Sequence, residues 1–255
     1  MTMSTPSPTD IQPVDSTDPS AVRRTPLVPW GSFMDQLVWN PGEHVALIGP
    51  TGQGKTNFLY WFLPRRKFIT IFATKPHDAS MTHFGKTKDF VIWKTWKNDT
   101  ARKVPRRILW PKATDLYSIA HQRTVFKDAL YHIYGQGGWT LALDELYFIV
   151  QTLGLGNEVK IYLLQARALD ISLVCATQRP SWVPLEVYDQ STHLFFWRDN
   201  DERNLKRLSG ISFNNAAVIR QIIANLPKYH VLYVNTRTGD MAITRPPAPR
   251  KVKTK

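Results

Sequence analysis

The sequence predicts an α/β fold in which a mostly parallel central sheet is flanked by helices on both faces. Three observations predict it. Short apolar runs rich in β-branched and aromatic residues alternate with longer segments of helical period. A glycine-rich loop joins one such run to a helical pattern at residues 49–56. A second apolar run ends in adjacent carboxylates, Asp144 and Glu145. Parallel strands need crossover connections, and helices in those crossovers cover both faces of the sheet.

The expected strands are His44–Gly49, Phe68–Ala73, Phe90–Trp93, Arg107–Trp110, Thr140–Asp144, Ile171–Thr177 and His193–Trp197. Tyr229–Asn235 and Met241–Thr244 are expected to form a hairpin across Thr238-Gly239. Helical patterns cover Lys55–Leu63, Leu116–Tyr134, Asn157–Leu169, Asn200–Leu208 and Asn214–Asn225, the last opening on an asparagine that can cap. Residues 1–26 are rich in Ser, Thr, Pro and Asp and are predicted to be a disordered arm. Residues 246–255 read as a Pro-rich, then basic, tail.

A chain of 255 residues buries roughly 70–75% of its unfolded surface. With 43% apolar and 21% charged residues it is neither disordered nor fibrous as a whole. The single cysteine, Cys175, excludes an internal disulfide and reads as a small buried hydrophobe in a reducing compartment. No basic start followed by an apolar stretch opens the chain, and no run is long enough to span a bilayer. The expectation is a soluble, cytoplasmic protein without membrane insertion.

The formal charge of +13 is concentrated. Pro64 to Lys112 holds thirteen Lys or Arg against three Asp, and Arg245 to Lys255 holds five basic residues and no acid. The remainder is close to neutral. Localised positive charge suits a polyanion, with a solvated basic face as the plainer alternative. Trp93, Trp96 and Trp110 interleave the first segment and read better as core packing than as contacts to bases.

The run Gly49-Pro50-Thr51-Gly52-Gln53-Gly54-Lys55-Thr56 fits G-x-x-x-x-G-K-[ST], with an apolar strand before it and a helix, opening toward Asn57, after it. Glycines let backbone N–H groups close around phosphate oxygens, and the helix points its positive end at them. Lys55 would reach the β and γ phosphates of ATP, and Thr56 would offer its hydroxyl to Mg2+. In the acidic pair, Asp144 would hold Mg2+ and Glu145 would orient or deprotonate the attacking water. Gln178, at the tip of a third strand, is the candidate that senses the γ-phosphate. No His/Cys spacing suggests zinc.

The stretch Leu163-Leu-Gln-Ala-Arg167-Ala-Leu-Asp-Ile171-Ser-Leu-Val-Cys-Ala-Thr-Gln178-Arg-Pro180 resembles the FtsK/HerA superfamily of DNA-pumping ATPases. The resemblance spans about Pro41 to Gly210 and rests on three ordered motifs. It implies an ASCE-type, RecA-like P-loop core over residues 27–245, with Gln178 as sensor. It also implies that Arg167 reaches a neighbouring subunit's nucleotide, with Arg179 and Arg198 as competitors. The partners it implies are double-stranded DNA and further copies in a homo-oligomeric ring, pentamer or hexamer. Winged-helix, β-barrel and nuclease additions are not recognisable, so the chain looks like a minimal motor, similar to small viral genome-packaging ATPases. A capsid vertex or portal would then be a further partner, and the location host cytoplasm or virion. The alternatives are a plasmid-transfer or chromosome-partition pump, and a nucleotide-binding scaffold without translocase activity.

Overall fold

The computed structural model describes residues 25–87, 89–208 and 216–248. In chain order the elements are α1 (Trp30–Gln36), β1 (His44–Ile48), α2 (Lys55–Phe62), β2 (Ile69–Phe72), α3 (Ala79–Thr87), β3 (Val91–Trp93) and β4 (Arg106–Leu109). They continue with α4 (Leu116–Gln136), β5 (Thr140–Leu143), α5 (Gly156–Gln165), β6 (Ser172–Thr177), α6 (Glu186–Asp189) and β7 (Ser191–Phe196). The last are α7 (Glu202–Leu208), α8 (Ala216–Asn225), β8 (Val231–Asn235) and β9 (Met241–Thr244).

Among the described residues nine strands form one sheet in the order β3-β4-β2-β5-β6-β1-β7-β8-β9. Strands β1 to β7 run parallel, and the β8–β9 hairpin adds two antiparallel strands at one edge. Alternation along β1 sorts the core into two layers. Val45 and Leu47 face α1, α2 and α3, in a layer built around Phe33, Phe58, Phe62, Phe84 and Phe195. Ala46 and Ile48 face the opposite side, where Phe126 and Ile133 of α4, Val159 of α5 and Ile219 of α8 pack. Cys175 is a free, buried member of that second layer.

Each expected strand is present, with ends moved by one or two residues. Helix α4 starts at the predicted position because Asp115 caps it. The Asp115 carboxylate accepts from Ser118 N at 2.8 Å, and Asp115 N donates to Ser118 Oγ at 3.1 Å. Helices α1, α3 and α6 are additional to the prediction: they are short, and α3 contains Gly85 and a polar run that hides its period. The predicted helix through Leu169 ends instead at Gln165 and tightens into a 3-10 turn, Ala166–Leu169. The Asn214 cap lies outside the described residues, as does most of the predicted arm and tail. At their inner ends, Ile243 N donates to the Pro26 carbonyl, and Pro247 O accepts from α2.

The basic segment is corrected in part by the structure. Arg107 is fully buried in a box of Trp93, Trp96 and Trp139, its guanidinium 4.3–5.0 Å from the ring centroids. Its Nη2 donates to the carbonyls of Ala101 and Val104. Arg65 donates to the Met34 and Leu37 carbonyls, and Arg106 to those of Pro64 and Arg66. Arg66 lies over Trp39, and Arg102 over Phe68 and Trp139. Arg107 is thereby withdrawn from a polyanion, while the other four engage loop carbonyls or aromatic faces and Arg65 and Arg102 stay exposed. Lys67, Lys94, Lys97, Lys103 and Lys112 remain exposed.

Replacing Arg107 with Ala should cost about 3 kcal/mol or more, because two carbonyls lose their donor and the tryptophan box loses its filling. The exposed neighbour Lys103→Ala should stay within about 0.5 kcal/mol. Urea denaturation measures both, and equal effects would contradict the structural role of Arg107.

Candidate active site

Parallel strands β5, β6, β1 and β7 bring their carboxyl ends to one edge of the sheet, and the polar residues predicted from sequence collect there. The chain leaves β1 through a loop that needs its glycines. Gly52 and Gly54 have φ of 78° and 104°, in the left-handed region that side chains avoid. Gly49 approaches β7 so closely that a Cβ there would lie 2.6 Å from Trp197 Cβ. Gly54 is also the N-cap of α2 and supplies no side-chain cap, so the first N–H groups of that helix are left for another acceptor.

Lys55 is buried, and its ammonium donates to the carbonyls of Gly49 and, at 2.8 Å, Pro50. Burial pushes its pKa from 10.5 down to about 8, against the opposing pull of Glu145 and Asp144. Thr56 Oγ1 points at Asp144 Oδ1 over 3.4 Å. Strand β6 lies between the strand that carries Lys55's loop and the strand that carries Asp144, and its tip closes the gap. The Thr51 hydroxyl donates to Gln178 Oε1, and Gln178 Nε2 donates to Glu145 Oε2. One side chain thus connects the glycine loop to the acidic pair.

Burial raises the Asp144 carboxyl above the usual range, with Asp78 adding to it and Lys75, Lys55 and the Thr56 hydroxyl opposing. Burial also raises Glu145, as does the charge of Asp144, while Lys75, Lys55 and Gln178 oppose. The two lysines do not offset burial at either carboxyl, and a divalent cation would lower both further. A hydroxyl, a carboxylate and phosphate oxygens are the hard donors that Mg2+ takes. The residues therefore fit a magnesium triphosphate, in which Thr56 and Asp144 would hold the ion and Lys55 with the loop N–H groups would hold the phosphates.

Sequence reasoning passed over Lys75 and Asp78. They follow β2, next to the acidic strand, and lie 3.6 Å apart as an ion pair whose charges act on Asp144. The available signal was a polar pair just past the carboxyl end of an apolar strand. Tyr229 was passed over as well; its ring edge comes within 3.6 Å of a Cβ placed on Gly54.

Arg167 is not with the others. It sits in the turn before β6, exposed, where the Gly42 backbone abuts its carbonyl at the foot of β1. The six residues of β6 separate it from Gln178, or about 20 Å at the rise of a strand. Arg179 and Arg198 are both exposed at the loop end.

No protein-family model matches the chain, and no curated protein matches it. Solved structures do. The genome packaging NTPase B204 from Sulfolobus turreted icosahedral virus 2, in complex with AMPPCP, superposes with a TM-score of 0.63 at 16% identity, covering 82% of this chain and 100% of that one. The two chains share a fold. VirB4 of Thermoanaerobacter pseudethanolicus matches with a TM-score of 0.60 at 10% identity, over 81% of this chain and 90% of that one. EssC from Geobacillus thermodenitrificans gives 0.50 at 12% identity, over 85% of this chain and 42% of that one. At these identities the likeness establishes architecture alone, a RecA-like sheet flanked by helices, which is the fold the sequence predicted. Among the described residues no helix is long and apolar enough to cross a membrane.

Because the folded pKa of Lys55 is depressed, the unfolded chain binds more protons between pH 8 and 10.5, and this group makes stability rise with pH across that window. The stability of ligand-free wild-type protein should therefore rise between pH 8 and 10.5, and Lys55→Met should remove that rise. Denaturation curves at several pH values check both statements.

Proposed function

We propose that the chain is an ATP-hydrolysing, DNA-translocating motor that packages a viral genome as a homo-oligomeric ring. The observation that carries this reading is the path Thr51–Gln178–Glu145, which couples the phosphate loop to the carboxylate beside it. A site that only held nucleotide has no need for such a connection. The packaging NTPase B204 has been solved with AMPPCP and with ATP-gammaS, which supports nucleotide as the ligand of this same fold.

In this reading Lys55 and the loop N–H groups hold the β and γ phosphates, and Thr56 and Asp144 hold Mg2+. When bound, the ion would neutralise charge on the transferred phosphoryl oxygens. Glu145, its carboxyl raised by burial, takes a proton from the attacking water. Gln178 hydrogen-bonds Glu145 while the γ-phosphate is absent and turns toward it when present, so the state of the site is passed to β6. Arg167 stands at the far end of the sheet from its own loop and serves the site of a neighbouring copy. Head-to-tail contacts of that kind close into rings. The exposed lysines that follow β3 and β4, Lys94, Lys97 and Lys112, are the surface offered to DNA phosphates.

Duplex DNA should stimulate ATP turnover by the assembled protein, and the stimulation should fall as salt rises. Assembled protein that neither hydrolyses ATP nor responds to DNA would end the proposal. Glu145→Gln should lower kcat by about 10²–10⁴ and leave ATP affinity within a few fold. Arg167→Ala should lose roughly 10³ or more in rate. Mixing it with Lys55→Ala subunits, themselves inactive, should restore part of the activity, because intact loops then meet intact arginines. Absence of any recovery in stable mixed rings would move the role to Arg179 or Arg198.

A further inference from the structure

Two sets of side chains grip the loop that carries Gln178. Past Gln178 the chain makes a 3-10 turn, Pro180–Trp182, on its way to α6. Toward the acidic strand, the Trp182 ring meets that of Tyr147, two residues beyond Glu145, with centroids 5.3 Å apart and planes at 73°. Toward α7, the Ser181 hydroxyl donates to Asn204 Oδ1 at 3.2 Å, and Arg207 Nη2 donates to the Val183 carbonyl at 3.1 Å. Asn204 and Arg207 stand three residues apart and so share one face of α7.

Asn204 is buried, and both ends of its amide are engaged. While Oδ1 accepts from Ser181, Nδ2 donates to Asp199 Oδ2 at 2.8 Å. A carboxylate only accepts, so Asp199 fixes which way the amide points. Asp199 is buried as well, just beyond the tip of β7, and its other oxygen accepts from Asp201 N at 2.9 Å. Asp201 in turn caps α7, accepting from Arg203 N at 2.8 Å and Asn204 N at 3.3 Å. The charge of Asp199 also acts on Lys55. A second amide therefore repeats on the β7 side what the first does on the β5 side: Gln178 spans Thr51 and Glu145, and Asn204 spans Ser181 and Asp199.

A side chain that reports on a phosphate must be held to fractions of an ångström, and a loop is not stiff by itself. We propose that Asn204 is a positioning residue for the sensor: through Ser181 it anchors the Gln178 loop to Asp199 and α7, and Gln178 keeps its place between Thr51 and Glu145 only while α7 is docked. The inference rests on the reading of Gln178 as the sensor of a hydrolysing site. The docked helix is then a point from which turnover is switched off without disturbing a phosphate ligand.

Steady-state ATP turnover and equilibrium ATP affinity, both measured on the assembled full chain, test this. Asn204→Ala should lower kcat about 10–10²-fold and leave ATP affinity within about twofold, because the phosphate grip is untouched. Ser181→Ala removes the same link from the loop side, leaves the cap of α7 in place, and should copy the effect. The decisive variant is the double one: an Asn204 that acts through Gln178 makes Gln178→Ala/Asn204→Ala turn over no more slowly than Gln178→Ala alone. Full additivity of the two losses would show that Asn204 only stabilises α7, and unchanged kcat in both single variants would show that the loop holds Gln178 unaided. Either overturns the positioning role and leaves the hydrolytic reading standing, as would a loss of ATP affinity as large as the loss of kcat. Wild-type protein that binds ATP without turnover overturns both.

Discussion

Lys55 carries an ammonium into a place where burial disfavours charge, and faces two carboxylates for which burial does the same. Neither side of that arrangement is stable by itself. The lysine is held by carbonyls of its own loop, and the carboxylates are held by hydrogen bonds from Thr56 and Gln178. What remains is unbalanced charge beside the glycine loop, which a magnesium triphosphate would complete. Stability is given up at the site, as is usual where a binding or reacting group must be kept ready.

The sheet makes that concentration of charge possible. Each parallel strand delivers one or two side chains to the same edge, and the core behind them is apolar on both faces. The opposite edge is fastened differently. Buried Glu43, before β1, accepts from Asn40 N at 2.8 Å and pairs with Arg237 at 2.8 Å and with His193 of β7 at 3.1 Å. His193 Nδ1 in turn lies 3.0 Å from the Tyr233 hydroxyl of β8. This network ties β1 to the hairpin edge at its foot, while the glycine loop ties it to β6 and β7 at its tip. The loop is therefore mounted on a strand constrained at both ends, a condition for positioning catalytic groups within fractions of an ångström.

The two edges also separate the residues of a proposed intersubunit site. Arg167 is displaced from the loop of its own chain by the length of β6, and no rotamer spans that distance. If hydrolysis needs this arginine, a lone subunit is incomplete, and turnover depends on assembly. The arginines of the basic segment add a second lesson. Arg107 is spent wholly within the fold on carbonyls and aromatic rings, so net charge alone overstated what the surface offers a polyanion.

The strands were legible because each is a short apolar run bounded by turn residues, and a buried parallel strand tolerates little else. The glycine loop and the acidic pair were legible because their chemistry is local: consecutive residues form the loop, and adjacent carboxylates end one strand. Short helices such as α3 were not, because their burial is decided by what packs on them rather than by their own period. The burial of Arg107 was invisible in sequence, since nothing local says that three tryptophans will surround it. The sequence by itself determined which segments form strands and which loop can hold phosphate. Only the tertiary structure decided that β6 stands between β1 and β5, so that Gln178 bridges Thr51 and Glu145, and that Tyr229 and Pro247 arrive on the other side. Strand order is set by the packing of the whole sheet at once, and no single segment contains it.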